Sequence, residues 1–258
     1  MEQYFVVRNV SIEAGRVRIC VPLMSSDLDG LSRALSGLKA SDFDIVEWRA
    51  DSLAGAKLKD YRYGLRHLRL SLGESVPILF TLRTRAEGGG FAGSPEDYVA
   101  AAISVAASGA ADMVDIELSA GESAVRSVTD AASESGTRVV VSHHNFERTY
   151  TAGEIAAIYE RMFSLRADIS KIALMAANFG DCLTAMQAAR DACLAHPGRA
   201  IIMVSMGRHG LTSRIMAQEF GSVVTFGSSE ASGPSAPGQI SARGLRLAFD
   251  ILKKYTEF

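Results

Sequence analysis

The sequence predicts an α/β protein folded as a (β/α)8 TIM barrel, with an N-terminal β-hairpin closing the bottom of the barrel. Three observations point there. Short runs rich in Val, Ile and Leu alternate strictly with longer segments of helical period, the alternation repeats eight times, and no glycine-rich dinucleotide turn follows the first run. Strict alternation implies parallel strands joined by crossover helices. Eight units in 258 residues fit a closed barrel better than an open doubly wound sheet, for which a glycine-rich first turn is expected. Residues 1–258 are read as one domain.

In chain order, residues 4–10 and 16–19 flank Glu13-Ala14-Gly15 and read as the hairpin. Strands are then predicted over 18–24, 44–49, 77–83, 113–118, 137–143, 168–175, 200–206 and 223–227. Between and after them, helices are predicted over 27–38, 58–70, 95–107, 122–134, 154–165, 182–194, 212–220 and 241–254. Two helix starts carry their own signal. Ser94-Pro95-Glu96-Asp97 supplies a cap, a first-turn proline and acidic residues, and Thr151-Ala152-Gly153-Glu154 has the spacing of a capping box. Residues 227–238 are rich in Gly, Ser and Pro, but they lie between the last strand and the last helix, so they read as a loop rather than a linker.

Composition narrows the function classes. A formal net charge of -2 without a long run of one sign gives no electrostatic footprint for nucleic acid or for an anionic membrane, so a small-molecule partner is expected. Residues 1–10 carry Glu2 and Arg8 inside a short apolar pattern, unlike a secretory signal, and no uncharged stretch approaches the roughly 18 residues that span a bilayer. A soluble, cytoplasmic protein is the expectation. Cys20, Cys182 and Cys193 form no Cys-x-x-Cys pair and read as core residues, not as a metal or redox site.

The polar residues fall where chemistry gathers in such a barrel, at the C-terminal ends of the strands. Strand two ends Glu47-Trp48-Arg49. Strand three ends at Arg83, with Glu87 in the following loop; strand five ends His143-His144, and Arg214 follows strand seven. Side chains alternate along a strand, so Glu47 and Arg49 share a face that Trp48 does not. By the same rule His143 and His144 point to opposite faces, which leaves one functional histidine. Lys171 lies in strand six, in a segment whose residues past Ser170 are otherwise apolar. An ammonium in such surroundings is costly, and burial eases loss of its proton, giving an amine that can form a Schiff base with a carbonyl substrate.

Six stretches carry a resemblance. They are Asp44-Ile45-Val46-Glu47-Trp48-Arg49-Ala50-Asp51, Thr81-Leu82-Arg83 through Glu87-Gly88-Gly89, Ser142-His143-His144-Asn145-Phe146, Lys171-Ile172-Ala173-Leu174-Met175, Ser205-Met206-Gly207 with Ser213-Arg214, and Ser235-Ala236-Pro237-Gly238-Gln239. In this order they resemble the type I 3-dehydroquinate dehydratases. That resemblance implies a cofactor-free, metal-free (β/α)8 lyase, a homodimer, that converts 3-dehydroquinate to 3-dehydroshikimate in the shikimate route to aromatic amino acids.

Carried over residue by residue, it makes Lys171 the Schiff-base amine, His144 the proton shuttle and Glu87 the group that orients His144. Arg214 is expected on the substrate carboxylate with Ser235 and Gln239, and Glu47, Arg49 and Arg83 on the ring hydroxyls, while Met206 and Phe226 form apolar walls. Arg83 and protonated His144 are the cations expected near Lys171. The 228–238 loop is expected to close over substrate. Asn145, Ala176 and Val204 depart from residues common in the family. Two rivals stand beside this reading: another Schiff-base lyase or aldolase, and a non-catalytic ligand-binding barrel.

Overall fold

The computed structural model describes residues 3–229 and 233–256; positions 230–232 of the predicted closing loop, Ser232 among them, lie outside the described residues. Two strands, β1 (Gln3–Val7) and β2 (Val10–Glu13), pair antiparallel. Eight more, β3 (Arg18–Leu23), β4 (Ile45–Arg49), β5 (Ile78–Thr81), β6 (Met113–Glu117), β7 (Arg138–Asn145), β8 (Ile169–Met175), β9 (Ala200–Met206) and β10 (Val224–Phe226), form one parallel sheet in the order β10-β3-β4-β5-β6-β7-β8-β9. The two ends of that order also meet. Val223 donates its N–H to the Ile201 carbonyl at 2.9 Å beside a parallel bridge between Ile201 and Ser222, so the sheet closes on itself as a barrel.

The helices α1 (Leu28–Ser36), α2 (Leu58–Leu72), α3 (Pro95–Ser108), α4 (Glu122–Ser135), α5 (Ala152–Ser164), α6 (Phe179–Ala195), α7 (Leu211–Ile215) and α8 (Ala242–Thr256) follow β3 to β10 in turn. Both predicted starts are present, with Ser94–Asp97 and Thr151–Glu154 each forming a reciprocal capping box. The outward side chains of the strands make the larger core against these helices. Trp48, for example, turns away from the barrel axis and meets Phe80 and Tyr61 edge-on.

Two elements differ from the sequence reading. The hairpin turns at Arg8-Asn9, because Val7 pairs with Val10, and Arg8 adopts a left-handed φ of 51° held by Asp112 and Glu74 at 2.6 Å each. Glu13-Ala14-Gly15 is a second turn, with Gly15 at φ 71°, that feeds the chain into β3. The helix predicted over 212–220 is only α7, ending at Ile215. The Thr225 hydroxyl takes the Arg214 carbonyl at 3.2 Å, an acceptor that a longer helix would use for itself.

The hairpin does cover the barrel bottom. Val7 and Ile12 are buried against the inward residues at the start of the strands, among them Cys20, Ile45, Met113 and Ile169. Three alternate strands are entered through an aspartate. The side chains of Asp44, Asp112 and Asp168 accept the backbone N–H of Ile19, Ile78 and Val139 on the preceding strand at 2.8, 2.7 and 2.8 Å. Each fixes strand register. The inward residue just after each aspartate is apolar (Ile45, Met113, Ile169), and the inward residue two further along is charged (Glu47, Asp115, Lys171). Alternate strands of such a barrel supply one layer of its interior, so this spacing brings the three charges face to face.

Candidate active site

One cleft at the C-terminal ends of the strands is lined by every residue singled out from the sequence: Glu47, Arg49, Arg83, Glu87, His144, Lys171, Met206, Arg214, Phe226, Ser235 and Gln239. Gly88, Phe146, Ala173, Val204 and Ala236 complete its wall.

Lys171, only 5% exposed, occupies the middle of that charged layer. Its Nζ lies 3.5 Å from Asp115 Oδ2 and 3.6 Å from Glu47 Oε1, and 4.3 Å from the centroid of the Phe226 ring. Its nearest charges are therefore carboxylates rather than the cations expected from the sequence. Arg83 is turned instead into a cluster of acids. Its Nη2 donates to Asp115 Oδ1, and its Nη1 to Glu117 Oε1 and Ser142 Oγ, all at 2.9 Å. Asp115 thus bridges the guanidinium and the amine. Burial alone raises a carboxylate's pKa, but Arg83, Lys171 and the Ser142 hydroxyl outweigh it and hold Asp115 below its ordinary value. Thr81 donates to Glu47 Oε1 at 2.8 Å, fixing the second carboxylate beside the amine.

Because β7 runs through Asn145, the two histidines do diverge. His143 meets the Tyr150 hydroxyl outside the cleft at 3.0 Å, whereas His144 faces inward. Glu87 Oε2 lies 2.9 Å from His144 Nδ1 and accepts the His144 backbone N–H at 3.0 Å, while Ser119 donates to Glu87 Oε1 at 2.7 Å. Burial, with the Glu117 charge adding to it, pushes Glu87 up to about 7. Burial and the charges of Arg83 and Lys171 push His144 well below the ordinary histidine range, so the imidazole is neutral at pH 7.

Arg214, 2% exposed, has a different environment. Its donors reach two backbone carbonyls, Phe226 and Pro237, each at 3.3 Å, and its buried Nε has no partner among the described residues. Among the described residues no carboxylate lies within 4 Å of it, and burial lowers it to about 10. Gln239 accepts from the Ser235 N–H at 2.7 Å, and its buried Nε2 has no partner among the described residues. Buried donors without acceptors on the wall of a cleft are what an anionic, hydroxylated ligand would satisfy. Among the described residues no group of three or more His, Cys, Asp or Glu is placed to hold a metal ion.

The sequence reading gave no role to Asp51, Asp115, Glu117, Ser119 or Ser142. A signal was available for two of them, since Asp115 and Glu117 stand on one face of the otherwise apolar β6.

A family model described as type I 3-dehydroquinase matches residues 19–256. The chain is 39% identical over 251 residues to a 3-dehydroquinate dehydratase of Syntrophotalea carbinolica, covering 97% of this chain and 98% of the relative. It is 36% identical over 253 residues to that of Klebsiella pneumoniae, covering 98% and 100%. Among solved structures, it superposes with a TM-score of 0.92 and 33% identity on the type I 3-dehydroquinate dehydratase of Clostridium difficile carrying covalently modified comenic acid, over 99% of this chain and 100% of that one. The 3-dehydroquinate dehydratase of Geobacillus kaustophilus gives 0.91 and 31%, over 98% and 97%.

Proposed function

The chain belongs to the type I 3-dehydroquinase family, and from that premise we propose that the cleft dehydrates 3-dehydroquinate to 3-dehydroshikimate through a Schiff base on Lys171. It is a hydro-lyase of the shikimate pathway. The observation that carries the residue assignment is the sharing of one cleft by a buried primary amine, a neutral imidazole tied to a carboxylate, and a buried guanidinium with no acid partner among the described residues.

Each group has one part. The Lys171 amine, held by Asp115 and Glu47, sheds a proton and attacks the substrate ketone; loss of water leaves an iminium. The positive nitrogen acidifies the adjacent C–H, which His144 removes, with Glu87 setting the imidazole's tautomer through Nδ1. The resulting enamine expels the neighbouring hydroxyl, to which His144 returns the proton, and hydrolysis of the iminium frees Lys171. Overall one water leaves the ring. Arg214 receives the carboxylate in a two-pronged contact, helped by Ser235 and Gln239. Glu47, Arg49 and Arg83 face the ring hydroxyls, and Met206 and Phe226 form the apolar walls. A single-domain homodimer in the cytoplasm belongs to the same reading and rests on the resemblance to the family.

Purified protein with 3-dehydroquinate, and no added metal or nucleotide, should show the rising absorbance of the conjugated enone. Borohydride added during turnover should fix one reduced adduct on Lys171, read by mass spectrometry. Lys171→Ala should lose the adduct, and His144→Ala should keep it while losing turnover. An adduct on any other residue, or normal turnover in both variants, sinks the mechanism; binding without enone formation points to a ligand-binding barrel.

A further inference from the structure

Asp51 stands just behind the cleft, in the turn that follows β4, and its side chain is 1% exposed. Its two oxygens take the Arg49 guanidinium in a fork, Nε to Oδ1 and Nη2 to Oδ2, both at 2.8 Å. The same carboxylate accepts the backbone N–H of Arg83 at 3.2 Å and of Gly90 at 2.9 Å. Two loops that supply the cleft, those after β4 and β5, therefore meet on one side chain. The fork also leaves Nη1 of Arg49 outside it, on a residue that lines the cleft when Asp51 does not.

Small residues make this hub possible. A Cβ at Gly90 would stand 2.7 Å from the Asp51 carbonyl, and one at Gly89 would stand 2.1 Å from the Arg83 carbonyl. The glycine tract after Glu87 thus lies flat on Asp51 and Arg83. Fork-to-fork pairing also fixes the plane of a guanidinium, which a single contact does not. Burial by itself would raise the Asp51 carboxyl, but the Arg49 fork and the two N–H groups hold it below its ordinary range, so it stays an anion through neutral pH.

We propose that Asp51 is a positioning residue that presents Arg49 to the substrate, its own carboxylate being held in place by the backbone N–H groups of Arg83 and Gly90. It touches no substrate and acts through Arg49. The inference rests on the functional reading above, because Arg49 is there a substrate-binding group.

Two measurements test it. In ligand-free protein, the Arg49 Nε–H resonance, assigned with Arg49→Lys, should exchange at least tenfold more slowly than exposed arginines and should lose that protection in Asp51→Asn. In kinetics, Asp51→Asn should raise KM at least tenfold while kcat falls less than threefold. In an Arg49→Ala background, the same substitution should change KM less than twofold, because the arginine through which it acts is gone. An effect on KM that is equally large with and without Arg49 overturns the proposal, as does unprotected Nε–H in the wild type. Wild-type protein that does not turn over 3-dehydroquinate defeats the functional reading instead, and the exchange measurement still decides the Asp51–Arg49 relation. That measurement, made on the wild type, also decides if Asp51→Asn does not fold.

Discussion

Glu87 holds His144 twice through one oxygen, taking the ring Nδ1 at 2.9 Å and the backbone N–H at 3.0 Å. The side chain and the main chain of the histidine are thereby fixed to the same carboxylate, and the ring's other nitrogen is left for substrate. Which tautomer results depends on where the pair keeps its proton. Burial and the Glu117 charge raise Glu87 to about 7, and burial together with Arg83 and Lys171 lowers His144.

Below about pH 7 a protonated Glu87 donates to Nδ1, which puts the ring proton on Nε2 and disables it as a base. Above that pH the carboxylate accepts from Nδ1–H, and Nε2 is free to take the substrate proton. The log of kcat/KM should rise with pH and level off near pH 7, and Glu87→Gln should abolish that limb and lower kcat about 10²-fold. A profile in Glu87→Gln with the wild-type limb would refute the assignment. Stability behaves differently. Between the ordinary glutamate value of 4.5 and about 7, the raised Glu87 makes the folded state bind more protons than the unfolded chain, so stability falls with pH. Up to 6.5 the lowered His144 makes the unfolded chain bind more, so stability rises. Where the two windows overlap the slopes oppose each other, so the pair's effect shows in activity rather than in melting temperature.

Most of the barrel was legible because its signal is local. Strand and helix periods identify eight units, and period two alone separates His144 from His143 and Glu47 from Trp48. What stayed hidden depends on contacts between distant residues. Asp115 and Glu117 gain their roles from Arg83, which lies 32 and 34 residues away in the chain, and Asp51 from the loop around Gly90. The over-long seventh helix failed for the same reason, since no period reveals that Thr225 takes the Arg214 carbonyl. Arg83 meets the amine only through Asp115, whose two oxygens it shares with Lys171, a link that no period in the sequence reveals.

Arg214 should show that binding and stability pull apart. Its fall from the ordinary arginine range to about 10 reports a buried charge whose cost, on the order of 3 kcal/mol, is fully present at neutral pH and is relieved only above about pH 10. Arg214→Gln removes that charge. The variant should melt at or above the wild-type temperature while KM rises about 10²-fold, and substrate should raise the melting temperature of the wild type far more than that of the variant. A large fall in melting temperature with unchanged KM would make Arg214 a structural residue.

Gly64 offers a test of packing against propensity. An alanine in the middle of α2 is favoured intrinsically by about 1 kcal/mol, but its Cβ would stand 2.2 Å from the Trp48 ring, which is wedged between Tyr61 and Phe80. Overpacking of this kind costs about 1–3 kcal/mol or more, so it wins. Gly64→Ala should lower the denaturation midpoint in urea, and a higher midpoint would show that the outer core has slack around Trp48.

Pro237 and Gly238, in the loop after β10, sit on the backbone of Gly207. Gly238, at φ 70°, lies so close to Gly207 that a Cβ would stand 2.3 Å from the Gly207 carbonyl, and the Gly207 N–H donates to Pro237 at 3.1 Å. This contact brings Ser235 and Gln239 to the cleft wall. Gly233 in the same loop also has a positive φ, 66°, but among the described residues nothing lies within 4 Å of its would-be Cβ. Gly233→Ala therefore carries only the backbone cost, about 1 kcal/mol, whereas Gly238→Ala must also lift the loop off Gly207. KM should rise at least tenfold in Gly238→Ala and less than threefold in Gly233→Ala, with Lys171 still trapped by borohydride at saturating substrate in both. Equal effects on KM would mean that the seat on Gly207 does not place Ser235 and Gln239.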